Sequence, residues 1–430
     1  MAEALPFCSI SLSVNYIGIK NNRIHVSRTR LGDATDAKRL TLSGNTPRKT
    51  CPCHASGSII QGDNVNHHGI WVRSFITAGL LGGALANPAQ AQSNVEISGL
   101  LGAGVGYSSN VGGGAAVTAN PGVLRPNALI VRGTEDLGGG NRAVFYLGSL
   151  FSIVNGNVFG GPGSLFSRES YVGLANRYGT LTLGNQRDFM FDSLTLNRYP
   201  GSFFEGAYAA HQGPFAKFGV SYSAQGSFDF DRVNGEAIAN TVKFKSADFS
   251  GLTFGAMYGF GGAPGSFGKS SASSFGINYE YANAGIGAAY TMVKSPQTNN
   301  GNDGIRNIGL GVRYGFDKVL ISALATISRN TATGAQINAF DVSVGYDFSA
   351  AWYASATYTH MRGNAQLNDN RANQLTSLVG YRLSKRTTVY VDAALQIASG
   401  NGAKAQVNAS IGPASGDHQF VSTVSIQHTF

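Results

Sequence analysis

Phe420-Val421-Ser422-Thr423-Val424-Ser425-Ile426-Gln427-His428-Thr429-Phe430 closes the chain. In an extended strand successive side chains point to opposite sides. Phe420, Val424, Ile426 and Phe430 therefore share one face, and Thr423, Ser425, Gln427 and Thr429 share the other, with Val421 the exception. A soluble sheet alternates in the same way, so one strand decides nothing. The same alternation recurs through nearly all of residues 92–430, in Phe340–Phe348 and Thr387–Ile397 for example. Such repetition behind a secretory signal predicts a transmembrane β-barrel.

Composition agrees with this reading. The 430 residues carry 58 Gly and only 13% charged side chains, and mean hydropathy is −0.04. No uncharged apolar run reaches the length of a spanning helix. A barrel wall, half of it facing lipid and half facing water, averages to this value. A disordered chain would carry fewer apolar residues, and a collagen-like chain would show a three-residue Gly period.

Residues 71–91 read as a signal peptide. Arg73 supplies the positive start, Phe75–Ala86 the apolar stretch and Ala89-Gln90-Ala91 the small-residue cleavage site. Residues 1–70 show no periodicity and contain all three cysteines. They read as an unassigned leader from an over-extended translation start. Cys51-Pro52-Cys53-His54 lacks the second ligand pair of a zinc site, so no metal is expected. Removing 1–91 leaves 23 Lys/Arg against 19 Asp/Glu, a net +4 where the whole chain has +9. No basic stripe remains for nucleic acid, and 92–430 contains no cysteine.

Strand length and connectivity separate membrane barrel from soluble sandwich. The alternating segments run about 9–13 residues, as tilted spanning strands require, against about 5–6 in soluble sheets. Short turns at Leu137–Gly140, Asn176–Gly179, Asp248–Gly251, Ala282–Gly285, Gly315–Lys318, Ser349-Ala350 and Ser384-Lys385 alternate with longer loops. The loops fall near 108–125, 153–165, 188–236, 261–271, 295–303, 330–335, 362–371 and 399–417. Together they join sixteen antiparallel strands, a number that leaves an aqueous channel. Aromatics gather near strand ends, as in Tyr346/Phe348, Tyr279/Tyr281 and Trp352/Tyr353. Loop 188–236 is too long for a passive hairpin connection.

Several segments now resemble the general porins of Gram-negative bacteria, in their neisserial and burkholderial branch. They are Val95–Gly102, Arg132–Gly140, Ser167–Leu174, Tyr178–Gly184, Asn240–Phe244 and Phe249–Tyr258, in that order. The resemblance covers 92–430 and implies a homotrimeric sixteen-stranded outer-membrane barrel. Its third external loop, here 188–236, would fold inward to narrow the pore. The partners implied are outer-membrane lipid and lipopolysaccharide, small hydrophilic solutes and ions, and the barrel-assembly machinery, which would read the strand ending at Phe430.

By resemblance Arg168 falls on a wall arginine of the constriction. Two other usual wall arginines are replaced, by Asn127-Ala128 and by Ala237, with Arg125 and Arg232 nearby. The candidate constriction residues are Arg168, Arg132, Arg187, Asp188, Asp192, Glu205 and Arg232; Asp229 and Asp231 read as a solvated loop face. Fixed charges across a narrow aperture would favour counter-ions.

Catalysis has no support. The histidines of 92–430 lack metal-ligand spacing, no Gly-x-Ser-x-Gly elbow occurs, and the Gly-rich runs open no helix. The reading is a cofactor-free passive diffusion channel with a weak anion lean. The alternative is a channel binding one solute class along a loop slide of Phe203, Phe204, Tyr208, Phe215 and Phe218.

Overall fold

The computed structural model describes residues 94–159, 164–219 and 229–430, and the backbone of 16–20 and 23–27. The chain divides into two units, 1–82 and 83–430. In the first, Tyr16–Lys20 pairs antiparallel with Arg23–Ser27, a hairpin the sequence reading had not found there. The β-branched Ile17, Ile19, Ile24 and Val26 favour extended backbone there. The signal segment 71–91 lies outside the described residues.

The second unit is a closed antiparallel barrel. Its strands are β1 (Asn94–Val111), β2 in two pieces (Gly114–Asn120 and Ala128–Gly138), β3 (Asn141–Leu150) and β4 (Glu169–Asn176). Next come β5 (Gly179–Arg187), β6 (Ala237–Ser246), β7 (Leu252–Gly259), β8 (Ala272–Tyr281) and β9 (Ala284–Lys294). They are followed by β10 (Gly304–Phe316), β11 (Val319–Asn330), β12 (Gln336–Asp347) and β13 (Trp352–Gly363). The last are β14 (Arg371–Arg382), β15 (Thr387–Ser399) and β16 (His418–Thr429). Strand β16 pairs with β1, Val424 opposite Val105, and Phe430 exchanges both backbone hydrogen bonds with Gly99 at 3.1 Å. Closure removes every sheet edge, which a hydrocarbon solvent demands.

The two faces of the wall are inverted relative to a soluble protein. Val424 is 63% exposed and Ile426, Leu375, Leu310 and Val172 also face outward, while Thr376, Gln374, Asn307, Thr326 and Gln396 are buried inside. An apolar outer band around a polar bore is the membrane solution, because lipid offers no hydrogen bonds.

One connection differs from the sequence reading. The expected loop over 108–125 is instead a tight turn at Gly112-Gly113, both at positive φ, and strand pairing resumes at Gly114. The irregular part is 121–127, inside β2, where Pro121 and Pro126 cannot donate ladder hydrogen bonds.

The long connection after β5 does fold into the bore. It carries a π-helical turn (Met190–Thr195) and a short helix (Ser202–Glu205). Phe189, Met190, Leu194 and Tyr199 pack on the inward-facing Met257, Ala289 and Leu324. Phe215, Phe218 and Phe230 pack on Ile305, Ile337 and Met361. Glycines open the space: a Cβ at Gly311 would stand 2.5 Å from Tyr199, and one at Gly276 would stand 2.2 Å from Ser193. At roughly 1.5–3 kcal/mol per buried apolar side chain, these anchors contribute strongly to holding the loop inside.

Candidate functional site

The site is the bore at the level of this loop. Arg168 shares parity with the lipid-facing Val172 and Leu174, which left its direction open from sequence. The regular pleat begins only at Glu169, so that parity does not bind it. The Arg168 backbone N–H donates to Gly148 O at 3.1 Å, and its side chain lies over Gly148, where a Cβ would be 3.2 Å from Arg168 Cδ. Gly148 shares the inner face with Tyr146, which stacks on Tyr171 with centroids 5.5 Å apart.

Arg125 comes from the Pro-bounded break in β2, and Arg198 from the loop, where it adopts φ 68°. Both guanidiniums flank the ring of Phe203, at 5.8 Å and 5.4 Å from its centroid. The charges of Arg168 and Arg198 both act on Arg125, and that of Arg168 acts on Arg187. Among the described residues, Arg125, Arg168 and Arg198 make no ion pair. From sequence, Arg125 is marked only as a neighbour of a missing arginine.

The remaining candidates sit elsewhere. Arg132 is low on the inner wall in an exposed bidentate pair with Glu96, 2.8–3.0 Å, opposite it in register. Arg187 is buried: its Nε donates to Gly235 O at 2.9 Å and its guanidinium stacks on Phe191 at 4.1 Å. Asp188 and Arg232 were expected to line water but are 0% and 2% exposed and paired with each other. Glu236 joins them at 3.6 Å from Arg232. They close the base of the loop, because a carboxylate so buried demands a cation. Asp192 binds Lys243 at 2.8 Å on β6 and faces Lys245 at 3.8 Å. Asp229 and Asp231, expected on a solvated face, are also buried.

Glu205 is buried against β13, its carboxyl 2.6 Å from Thr357 Oγ1. Burial pushes its pKa up to about 8, with the Asp341 charge adding to the shift and the hydrogen bonds opposing it. At neutral pH it therefore holds a proton and presents no charge to the bore. The sign for stability follows. Glu205's contribution is complete below its ordinary 4.5 and is lost as pH rises through about 8. We expect Glu205→Gln to flatten the fall in melting temperature of the detergent-solubilised barrel between pH 6 and 9. An unchanged fall would remove Glu205 as its cause.

The aromatic slide does not form as drawn from sequence. Tyr208, Phe215 and Phe218 are buried beneath the loop, and only Phe203 and Phe204 remain half-buried.

A closed sixteen-stranded barrel, apolar outside and polar inside with a loop folded into its bore, is an outer-membrane channel of the porin class. The Gram-negative porin family model matches residues 77–401, and the chain belongs to that family. It is a general porin of the Gram-negative outer membrane and not an enzyme. The chain is 27% identical over 362 residues to outer membrane porin protein 32 of Delftia acidovorans, covering 81% of this chain and 97% of that one. A Bordetella pertussis outer membrane porin is 28% identical over 279 residues, 58% of this chain and 68% of that one. Among solved structures, the anion-selective porin of Comamonas acidovorans superposes with TM-score 0.63 at 22% identity, covering 79% of this chain and all of that one. The trimer form of OmpT from Vibrio cholerae gives 0.55 at 11% identity, covering 79% and 99%.

Proposed function

We propose that the channel favours small anions, with Arg125, Arg168 and Arg198 as the charges that set the preference. One observation carries this. Among the described residues these three guanidiniums stand together without acidic partners, whereas the loop acids Asp188, Glu205 and Asp231 are buried. Pairing cancels most acidic charge facing the bore, and the arginines leave a positive potential in a narrow aperture. The net +4 of residues 92–430 has the same sign. Reversal potentials in planar bilayers under a KCl gradient test the proposal. Chloride should lead in the native channel and lose that lead in Arg168→Ala. A strongly cation-selective native channel would overturn it.

Three copies are proposed to assemble, the state named for OmpT, and the strand ending at Phe430 is proposed to engage the assembly machinery. The rival reading, specific binding of one solute along an aromatic slide, has lost three of its five rings to the interior.

A further inference from the structure

We propose that His211 is the positioning residue of the constriction: held between Asp231 on the returning limb of the loop and Asp341 on the wall, it sets how far Arg198 and Phe203 stand into the bore. The ring is 1% exposed. Its Nδ1 lies 2.5 Å from Asp231 Oδ2 and its Nε2 lies 2.7 Å from Asp341 Oδ1. A neutral imidazole has one N–H and can satisfy only one of these acceptors. Two carboxylates at hydrogen-bond distance call for both N–H groups, so the geometry selects the imidazolium.

Charged and polar groups face the imidazole from each neighbouring element. On β12, Asp341 Oδ2 also accepts the Gly201 N–H at 3.3 Å. On β11, Thr326 Oγ1 donates to Asp231 Oδ2 at 2.8 Å. Phe230 stacks on the imidazole, with centroids 6.0 Å apart. Burial, and then the charge of Asp231 beside it, push the Asp229 carboxyl well above the usual carboxylate range. Glu205, on the short helix near Asp341, also keeps its proton at neutral pH. Arg232 is paired with Asp188 and Glu236. Among the described residues His211 is the one cation paired with Asp231 or Asp341. Burial opposes its charge, but Asp341 and Asp231 outweigh that and hold its pKa well above the usual histidine value.

The link to the aperture is local. Gly201 lies between Arg198 and Phe203, and its N–H binds the same carboxylate that holds His211. A Cβ at Gly201 would be 2.4 Å from Thr357, so this stretch already touches the wall. Release therefore allows movement only toward the axis of the bore. The apolar anchors keep the loop inside; the Asp–His–Asp clamp fixes its stand-off. Acid that protonates Asp231, whose carboxyl the His211 charge holds below the usual range, would release the clamp and lower conductance.

The test is single-channel recording on porin purified from outer membranes, native and with His211→Asn or Asp341→Asn. Both variants should flicker and close at lower voltage than the native channel. The acid limb of conductance against pH should shift toward neutral by about one unit or more. Native closure voltage and native pH profile in both heat-modifiable, assembled variants would overturn the proposal. Where a variant fails to assemble, nitrogen NMR of histidine-labelled native porin decides. A fully buried histidine with both ring nitrogens protonated at pH 7 is expected. A neutral tautomer in that position would overturn the assignment.

Discussion

Arg232→Met is expected to detach the base of the inward loop while leaving the barrel closed. Arg232 and Asp188 are both buried, and removing one member of such a pair costs about 3–5 kcal/mol through the charge left behind. Arg232 also sits at φ 65°, so its backbone is held in a conformation that most side chains avoid. Limited proteolysis of assembled porin should cut within 188–236 in the variant far sooner than in the native protein, with the heat-modifiable barrel band unchanged. Equal cleavage rates would show that the apolar anchors alone secure the loop.

The second large effect is electrical. Arg125→Glu combined with Arg198→Glu should invert ion preference from chloride to potassium. Each exchange alters the bore by two elementary charges. Even with the dielectric constant of water, a unit charge ~6 Å from a passing ion is worth about 0.7 kcal/mol. One exchange is thus worth about a tenfold change in partition, before screening over a Debye length of about 10 Å at 0.1 M salt. The measured reversal potential should change sign at low salt and shrink at high salt. An unchanged sign would mean that selectivity resides elsewhere in the bore.

The barrel was legible because its physics is periodic. Alternation in Phe420–Phe430 maps directly onto outward Val424 and Ile426 and inward Thr423 and Ser425. Turn chemistry placed the short connections, and the loop over 108–125 was misjudged because Gly112-Gly113 and the two prolines were read as one irregular stretch. The site was harder to see, since the loop has no period to extrapolate. Charge type alone could not separate Arg198, which faces water, from Arg232, which faces Asp188. Nor could it show that Asp341, buried on the inner face, needed His211 as a partner. A buried acid must find a donor or a cation, and that rule was the only signal for the pair. Arg168 was named through family resemblance alone; its strand parity left its direction open because the regular pleat begins one residue later, at Glu169.

The apolar anchors that seat the loop have a cost that surfaces only when it is cut away. Met257, Leu324, Ile305, Ile337 and Met361 all point inward and are covered only because Phe189, Leu194, Tyr199, Phe215, Phe218 and Phe230 sit on them. Excising the loop would not yield a wider clean pipe. It would bare oily ground along the conduit, where water films break and foreign greasy molecules lodge. Anyone seeking a broader passage should trim the tips that reach the opening and leave the upholstery in place.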